Sequence, residues 1–429
     1  MILLLLACGP SGIVLAQDTA DTALASDTAD SGDSGEVIPG DSTDTGESAD
    51  TADTADSGPP PWEPPTPDVV VDCKGGADFT TITAAIAAEP SGTHIGLRPC
   101  TYAESLDFSG KSLDIFGIDG PETTIVEGNG RGVVVTVADG ESVGTRLAGV
   151  TITGGGGGGY ASAVYVDGAL LRLENVVLAD NERAYSVFWG EGSFLELVDV
   201  SFHDNKVSGG GYGAITVDNG SLVAERLTLD CDGGDVAFYE HNSSLVRDSS
   251  ITCSGGSGVY VQGGELHLRG SRIDVSNVGV YGEDNDDTRN ERMWLFNSAM
   301  IGSTAVQATY MHVKADHDVF YGSRVGLELS RPHIDSYVTN SVGVGSSCGI
   351  RTDGASDLFG WNALEHNGNS CARDAFSTVS APPAFVNAPD DLRLLQTSPL
   401  IDAGDPDKDA EDRDGSRSDI GVYGGSEGW

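Results

Sequence analysis

Positive charge is what this 429-residue chain has least of. It carries 23 Lys and Arg, five of them lysine, against 66 Asp and Glu, for a formal charge of −43. Every nucleic-acid phosphate would be repelled with no counterion release to help binding, so a nucleic-acid partner is excluded. Anionic membranes and polyuronates are disfavoured for the same reason. Aromatics make up only 7% of the chain while glycines number 59, which argues for many turns over large helical cores. No apolar run is long enough to span a bilayer. No cysteines stand at the close C-x-x-C spacing of a zinc site, so metal binding through thiolates is not expected. The glycine run at 154–159 lacks the lysine and the strand-to-helix setting of a phosphate loop.

What is present begins with an export signal. "MILLLLACGPSGIVLAQ" is a short apolar stretch followed at once by polar sequence. "LLAC" is similar to a bacterial lipobox, which would make Cys8 the lipidated residue. "VLA" before Gln17 would equally suit an ordinary signal peptidase, and the missing basic residues leave a mis-assigned start as the bland reading. Residues 1–16 are therefore read as a signal or lipobox segment. Residues 17–68 repeat Asp, Thr and Ala and end in prolines, with fourteen acids and no Lys or Arg. Such a stretch buries nothing and stays extended by self-repulsion, as a stalk or a plain spacer. Removing those fourteen charges from −43 still leaves −29 on the rest, which suits cations, neutral glycans or basic partners. The expected location is the outer membrane or cell surface as a lipoprotein, or the medium as a secreted protein. The membrane would be met only through the N-terminal lipid, and the chain is expected to be a monomer.

From Val69 the pattern changes to short β-type runs separated by Gly, Asn and Asp. "SAVYVDGALLRLENVVLADN", "SVFWGEGSFLELVDVSFHDN" and "GAITVDNGSLVAERLTLDCD" follow one another. A first apolar landmark falls at Val164, Val187, Ile215, Phe238, Val259, Val280, Val306, Leu327 and Ile350. A second falls at Leu178, Phe202, Leu229, Ile251, Ile273, Met300 and Phe320. Steps of mostly 21 to 24 residues, with two or three strands in each, mark a solenoid. In "VYVDG" Val164 and Val166 share a face and Tyr165 points away. No amphipathic helix separates the strands, so like strands stack in parallel. The predicted fold is all-β, a right-handed parallel β-helix over residues 69–397, with an acidic closing segment at 398–429. About a dozen coils would give a rod of roughly 55–60 Å at ~4.8 Å per coil. Six cysteines beyond Cys8 stand one coil apart in pairs, which predicts the disulfides Cys73–Cys100, Cys231–Cys253 and Cys348–Cys371.

Both ends carry further signals. In "GADFTTITAAIAAEPSGTHIGLRPCTYAESLDFSGKSLDIFGIDGPETTIVEGN" (76–129), Phe79, Thr81, Ile82, Ala85, Ile86, Pro99, Thr101, Tyr102, Glu104, Gly117, Thr124 and Ile125 match a pattern. It resembles the opening of pectin lyase-like right-handed β-helix proteins, pectinesterases included, with Cys100 in place of a usual glycine. That resemblance implies a short N-terminal capping helix. The closing "SPLIDAGDP…DRDGSRSDIGVYG" is similar to the end of many bacterial surface β-helix proteins. The resemblance spans nearly all of 69–425 and speaks to fold; one fold carries many activities.

Chemistry is sparser. The pectinesterase motifs are met only by echoes, "VQAT" (306–309), "DVFYG" (318–322) and "LSRP" (329–332), with no aspartate following the glutamine as that chemistry needs. The strongest basic patch is 310–337, with His312, Lys314, His317, Arg324, Arg331 and His333; it is the candidate ligand face, set against a row of outward residues balancing nearby acids. Tyr165, Trp189, Tyr212, Tyr239, Tyr260 and Tyr281 recur near the first landmark, as a platform for sugar faces or as a ladder that stabilises the stack. Eight carboxylates crowd between Asp402 and Asp419. They fail the EF-hand pattern, because Ala410 and Ser416 stand where Gly and a bidentate acid are needed. A looser calcium cage of Asp407, Asp409, Asp412, Asp414 and Asp419 is the metal candidate. The reading that results is an exported surface scaffold for binding or adhesion, its partner a polysaccharide or cell-surface glycan. The alternative is a polysaccharide lyase or hydrolase working along the 310–337 face.

Overall fold

The computed structural model describes residues 62–429 except 158, 208–211, 232–235, 240–242, 285–290, 354–358, 365–370, 372–378, 380, 407–410, 426–427 and 429. Cys8, the 1–16 segment and most of the 17–68 linker thus lie outside the described residues, and Trp62–Trp429 form one compact unit.

Strands of two to twelve residues follow one another and pair almost wholly in parallel, most with a counterpart one coil on, in a 32-stranded sheet beside two separate strand pairs. Strands account for 53% of the described residues and about 11 turns are wound. Right-handed winding is the sense that parallel strand crossovers take. The second landmark column is as expected: Leu178, Phe202, Leu229, Ile251, Ile273, Met300 and Phe320 stand in register. The first needs two corrections. Phe188, not Val187, pairs with Val164 and Ile215, and Val236, not Phe238, pairs with Ile215 and Val259. A register shift between Ala161 and Val164 is the cause of the first: the strand there has one residue more than Ser186–Phe188.

Inward Val, Ile, Leu and Phe form one continuous core, with Ile95, Leu147, Leu173, Leu197, Leu268 and Leu295 wholly buried. A helix closes the N-terminal end (Ile82–Ala88), burying Ile82, Ala85 and Ile86. Seven residues are too few to hold a helix alone. Glu104 accepts from the N–H groups of Ile82 and Thr83 (both 2.9 Å), while Lys111 Nζ donates to the carbonyls of Ile86 (2.6 Å), Ala87 and Glu89 (2.9 Å). Two coils therefore cap both helix ends with the charges the dipole favours. Gly117 is needed for space, since a Cβ there would lie 2.0 Å from the Gly149 carbonyl.

All three expected disulfides form, with Cα separations of 6.3, 4.7 and 5.6 Å. Cys231 and Cys253 are direct register partners. Side-chain ladders line the turns: the Leu227 N–H donates to Ser249 Oγ, Ser249 to Ser271, Ser271 to Ser298, and Ser298 to Asp318 Oδ1 at 2.9 Å. Asp318 is fully enclosed, and burial raises its carboxyl well above the usual range.

The acidic C-terminal segment covers the flank of the last coils. Leu400, Ile420 and Val422 pack on Ala299, Val319 and Val342 in a second core. Asn340 fixes it, with its Oδ1 accepting from Asp405 N (2.7 Å) and its carbonyl from Gly421 N (2.7 Å). Among the described residues no helix is long and apolar enough to cross a membrane.

Candidate functional site

The basic residues of 310–337 do not converge on one groove. His317 is only 5% exposed, lies beneath Gly424 and Gly425 of the C-terminal segment, and contacts Ser418 and Asp316. A histidine so covered is unavailable to an external ligand, which corrects its place in the predicted set. Arg324 projects from another side of the coil, donating to Thr304 Oγ1 (3.1 Å) beside Glu328 (3.8 Å). Arg331 lies over the Tyr310 ring at 5.1 Å and bonds to its hydroxyl. His312, Lys314 and His333 do share a face. Lys314 Nζ sits over the Trp294 ring (4.2 Å) and near that of Tyr337 (5.5 Å). Trp294 stacks on His267 with 6° between planes at 5.5 Å. These four are register partners on successive coils.

The acidic cage also comes apart. Asp407 and Asp409 lie outside the described residues. Asp412 accepts from the N–H groups of Asp419 (3.1 Å) and Gly425 (2.5 Å), Asp419 from Asp402 N (2.8 Å), and Asp414 from Ser416 N (2.9 Å). These carboxylates hold the loop's own backbone. Burial, and then the neighbouring Asp412, Asp402 and Asp414, push Asp419 up to about 6.

The expected aromatic series divides. Tyr165, Trp189, Tyr260 and Tyr281 do occupy one column, but Thr216 and Ala237 interrupt it. Tyr239 belongs to the column of Asp218 and Gln262. Tyr260 and Tyr281 stack coaxially, 5.2 Å apart and 11° from parallel, and both hydroxyls donate to Glu283 (2.8 and 2.7 Å). The faces these two rings turn to each other are closed to a ligand.

Around Trp189 the arrangement is open. Tyr160, Tyr185 and Tyr212 occupy equivalent turn positions just before strands Ala161–Asp167, Ser186–Glu191 and Gly213–Asp218. Inter-coil bonds from Ser186 N to Tyr160 O and from Tyr212 N to Tyr185 O (2.9 Å each) hold those turns in line. The three rings are 54, 44 and 42% exposed, whereas Trp189 at their centre is 4% exposed. Trp189 lies 4.8 Å from Tyr160 at 42° and 5.4 Å from Tyr212 at 73°. Tyr185 lies 6.4 Å from Tyr160 and 6.1 Å from Tyr212, tilted at 45° and 66°. The tyrosines are tilted against Trp189 and one another rather than stacked, and each stays partly exposed along three coils. Among the described residues Trp189 Nε1 beneath them has no hydrogen-bond partner. Sequence reading found Trp189 and Tyr212 but missed Tyr160 and Tyr185, which sit in turns outside the strand alternation.

No family profile and no curated protein matches the chain. Solved structures similar to it include a pectate lyase, 15% identical over 80% of this chain and 91% of that one, with a TM-score of 0.33. A pectin methylesterase from carrot is 13% identical over 74% and 89%, at 0.32. PfbA, a surface adhesin of Streptococcus pneumoniae, is 9% identical over 60% and 84%, at 0.27. Scores this low assign neither site nor activity. On the register of its own coils, the chain is a right-handed parallel β-helix.

Proposed function

We propose that this protein is an exported, non-catalytic scaffold that binds a neutral glycan on the tyrosine patch around Trp189. The observation that carries the reading is the set of three exposed, mutually tilted rings on consecutive coils over a buried tryptophan. Aromatic faces stack on the C–H faces of sugar rings, and tyrosine hydroxyls serve sugar hydroxyls. The charge of −43 favours a neutral glycan over a polyuronate. Three disulfides support an oxidising compartment. On this reading residues 1–16, with Cys8, direct export and anchoring, and 17–68 form a stalk.

The test is calorimetry with glucan, xylan and mannan oligosaccharides. One class binds, and Tyr185→Ala with Tyr212→Ala weakens it at least about tenfold, equivalent to about 1.4 kcal/mol, without lowering the melting temperature. No binding of any of these, or binding indifferent to both substitutions, overturns the proposal. Formation of unsaturated uronide from pectate or alginate, lost in Lys314→Ala, would establish the lyase alternative instead.

A further inference from the structure

We infer that His312, His333 and Asp335 form a binding site for a zinc-class divalent transition-metal ion on the outer face of the rod. This goes beyond the glycan proposal and does not depend on it. One ligand atom from each residue lies within 4.8 Å of the others. His312 comes from the strand His312–Asp316, while His333 and Asp335 come from the turn before the next coil's strand, Tyr337–Thr339. The two imidazoles face one another with centroids 4.9 Å apart and planes 35° from parallel.

One hydrogen bond prepares the site, and a second, long one would give way to the ion. His312 Nε2 lies 3.0 Å from the Asp335 carbonyl oxygen. A carbonyl can only accept, so Nε2 carries the proton and Nδ1 keeps a free lone pair. Metal-bound histidines are oriented in this manner, the far nitrogen donating to a backbone carbonyl. His333 Nδ1 lies 3.5 Å from Asp335 Oδ2 and takes a long 3.2 Å bond from Asp335 N. Zinc bonds of about 2.0–2.2 Å place tetrahedral ligands about 3.3 Å apart. The His333–Asp335 pair is near that spacing, and a closing movement of up to about 1.5 Å by these partly exposed side chains supplies the rest. Two imidazoles and one carboxylate suit zinc and its neighbours rather than calcium or magnesium, which take oxygen ligands.

The surrounding charges permit a cation. Arg292, the register partner of His312, is faced by Glu265 at 4.0 Å. Lys314 is held over the rings of Trp294 and Tyr337. Three protein ligands leave a fourth position for water or a donor oxygen, as in zinc sites that exchange ligands. A bound ion would also pin the 331–336 turn to the preceding coil.

The experiment uses the untagged full chain, stripped with chelator and titrated with Zn²⁺ by calorimetry and with Co²⁺ by visible absorption. One ion per chain is expected, with the intense ligand-field bands of a tetrahedral site. His312→Ala and His333→Ala each weaken binding at least tenfold, Asp335→Asn less, and His203→Ala not at all. His312→Gln replaces the alanine variant if that one fails to fold by circular dichroism. Absence of stoichiometric Zn²⁺ binding, or unchanged binding in the double variant His312→Ala and His333→Ala, overturns the inference.

Discussion

The tyrosine patch at 160–212 and the ring columns at 260–337 are built from similar residues on the same rod, yet they offer opposite surfaces. In the columns, flat side chains are direct register partners, so the coil spacing brings them face to face: Tyr260 on Tyr281 at 11° and His267 on Trp294 at 6°. Lys314 then covers the other side of Trp294. In the patch the tyrosines leave from turns and meet Trp189 of a strand, at tilts of 42° to 73°. At the two stacked pairs of the columns the parallel stack consumes aromatic faces, because flat register partners meet face to face. It exposes them where the backbone leaves the ladder, and binding is to be sought at the irregular places.

Replacing Trp189 should have the largest effect. Trp189→Ala removes a nearly fully buried ring, and about 3–4 kcal/mol of stability is expected to go with it, read as a lower denaturation midpoint. Glycan affinity should fall too as the tyrosines collapse together. Trp294→Ala tests the opposite member. Loss of the His267 stack and the Lys314 cation–π contact is expected to cost about 1–2 kcal/mol and to leave glycan binding unchanged. If Trp294→Ala abolished binding while the tyrosine variants kept it, the contrast between the regions would be reversed.

The smallest effect is one of pH. Burial, then the hydrogen bond to Glu283, pushes the Tyr281 hydroxyl up to about 12. In the unfolded chain it ionises near the ordinary value of about 10. The stacked tyrosine therefore costs nothing below pH 10 and destabilises the fold as pH rises from there through 12. Tyrosinate absorbance should show a late component that moves down in Glu283→Gln. Its absence would mean that the column is as open as the patch.

Much of the fold was legible because its signals are local or strictly repeated. Alternation of two residues within a strand and a period of 21 to 24 between strands identified Val164, Val259, Val280 and Ile350 as one inward column, and all are buried. The same period brought Cys231 to Cys253 and Cys348 to Cys371. Reading failed first at Val187 and Phe238, which stand one and two residues from the column, because neighbouring apolar residues in a strand compete for the same landmark.

The sites were less legible, for a different reason. His312 and His317 stand five residues apart in one basic stretch, yet one is open and the other is roofed by a segment a hundred residues downstream. Asp412 and Asp419 look like metal ligands until the loop's own N–H groups are seen to occupy them. Tyr160 and Tyr185 carry no periodic mark, and their exposure depends on how three turns stack around Trp189. Coil stacking follows from side-chain volume and alternation, which the residue order specifies directly. Which polar groups remain unspent depends on contacts between segments far apart in the chain, and those exist only once the coils have closed.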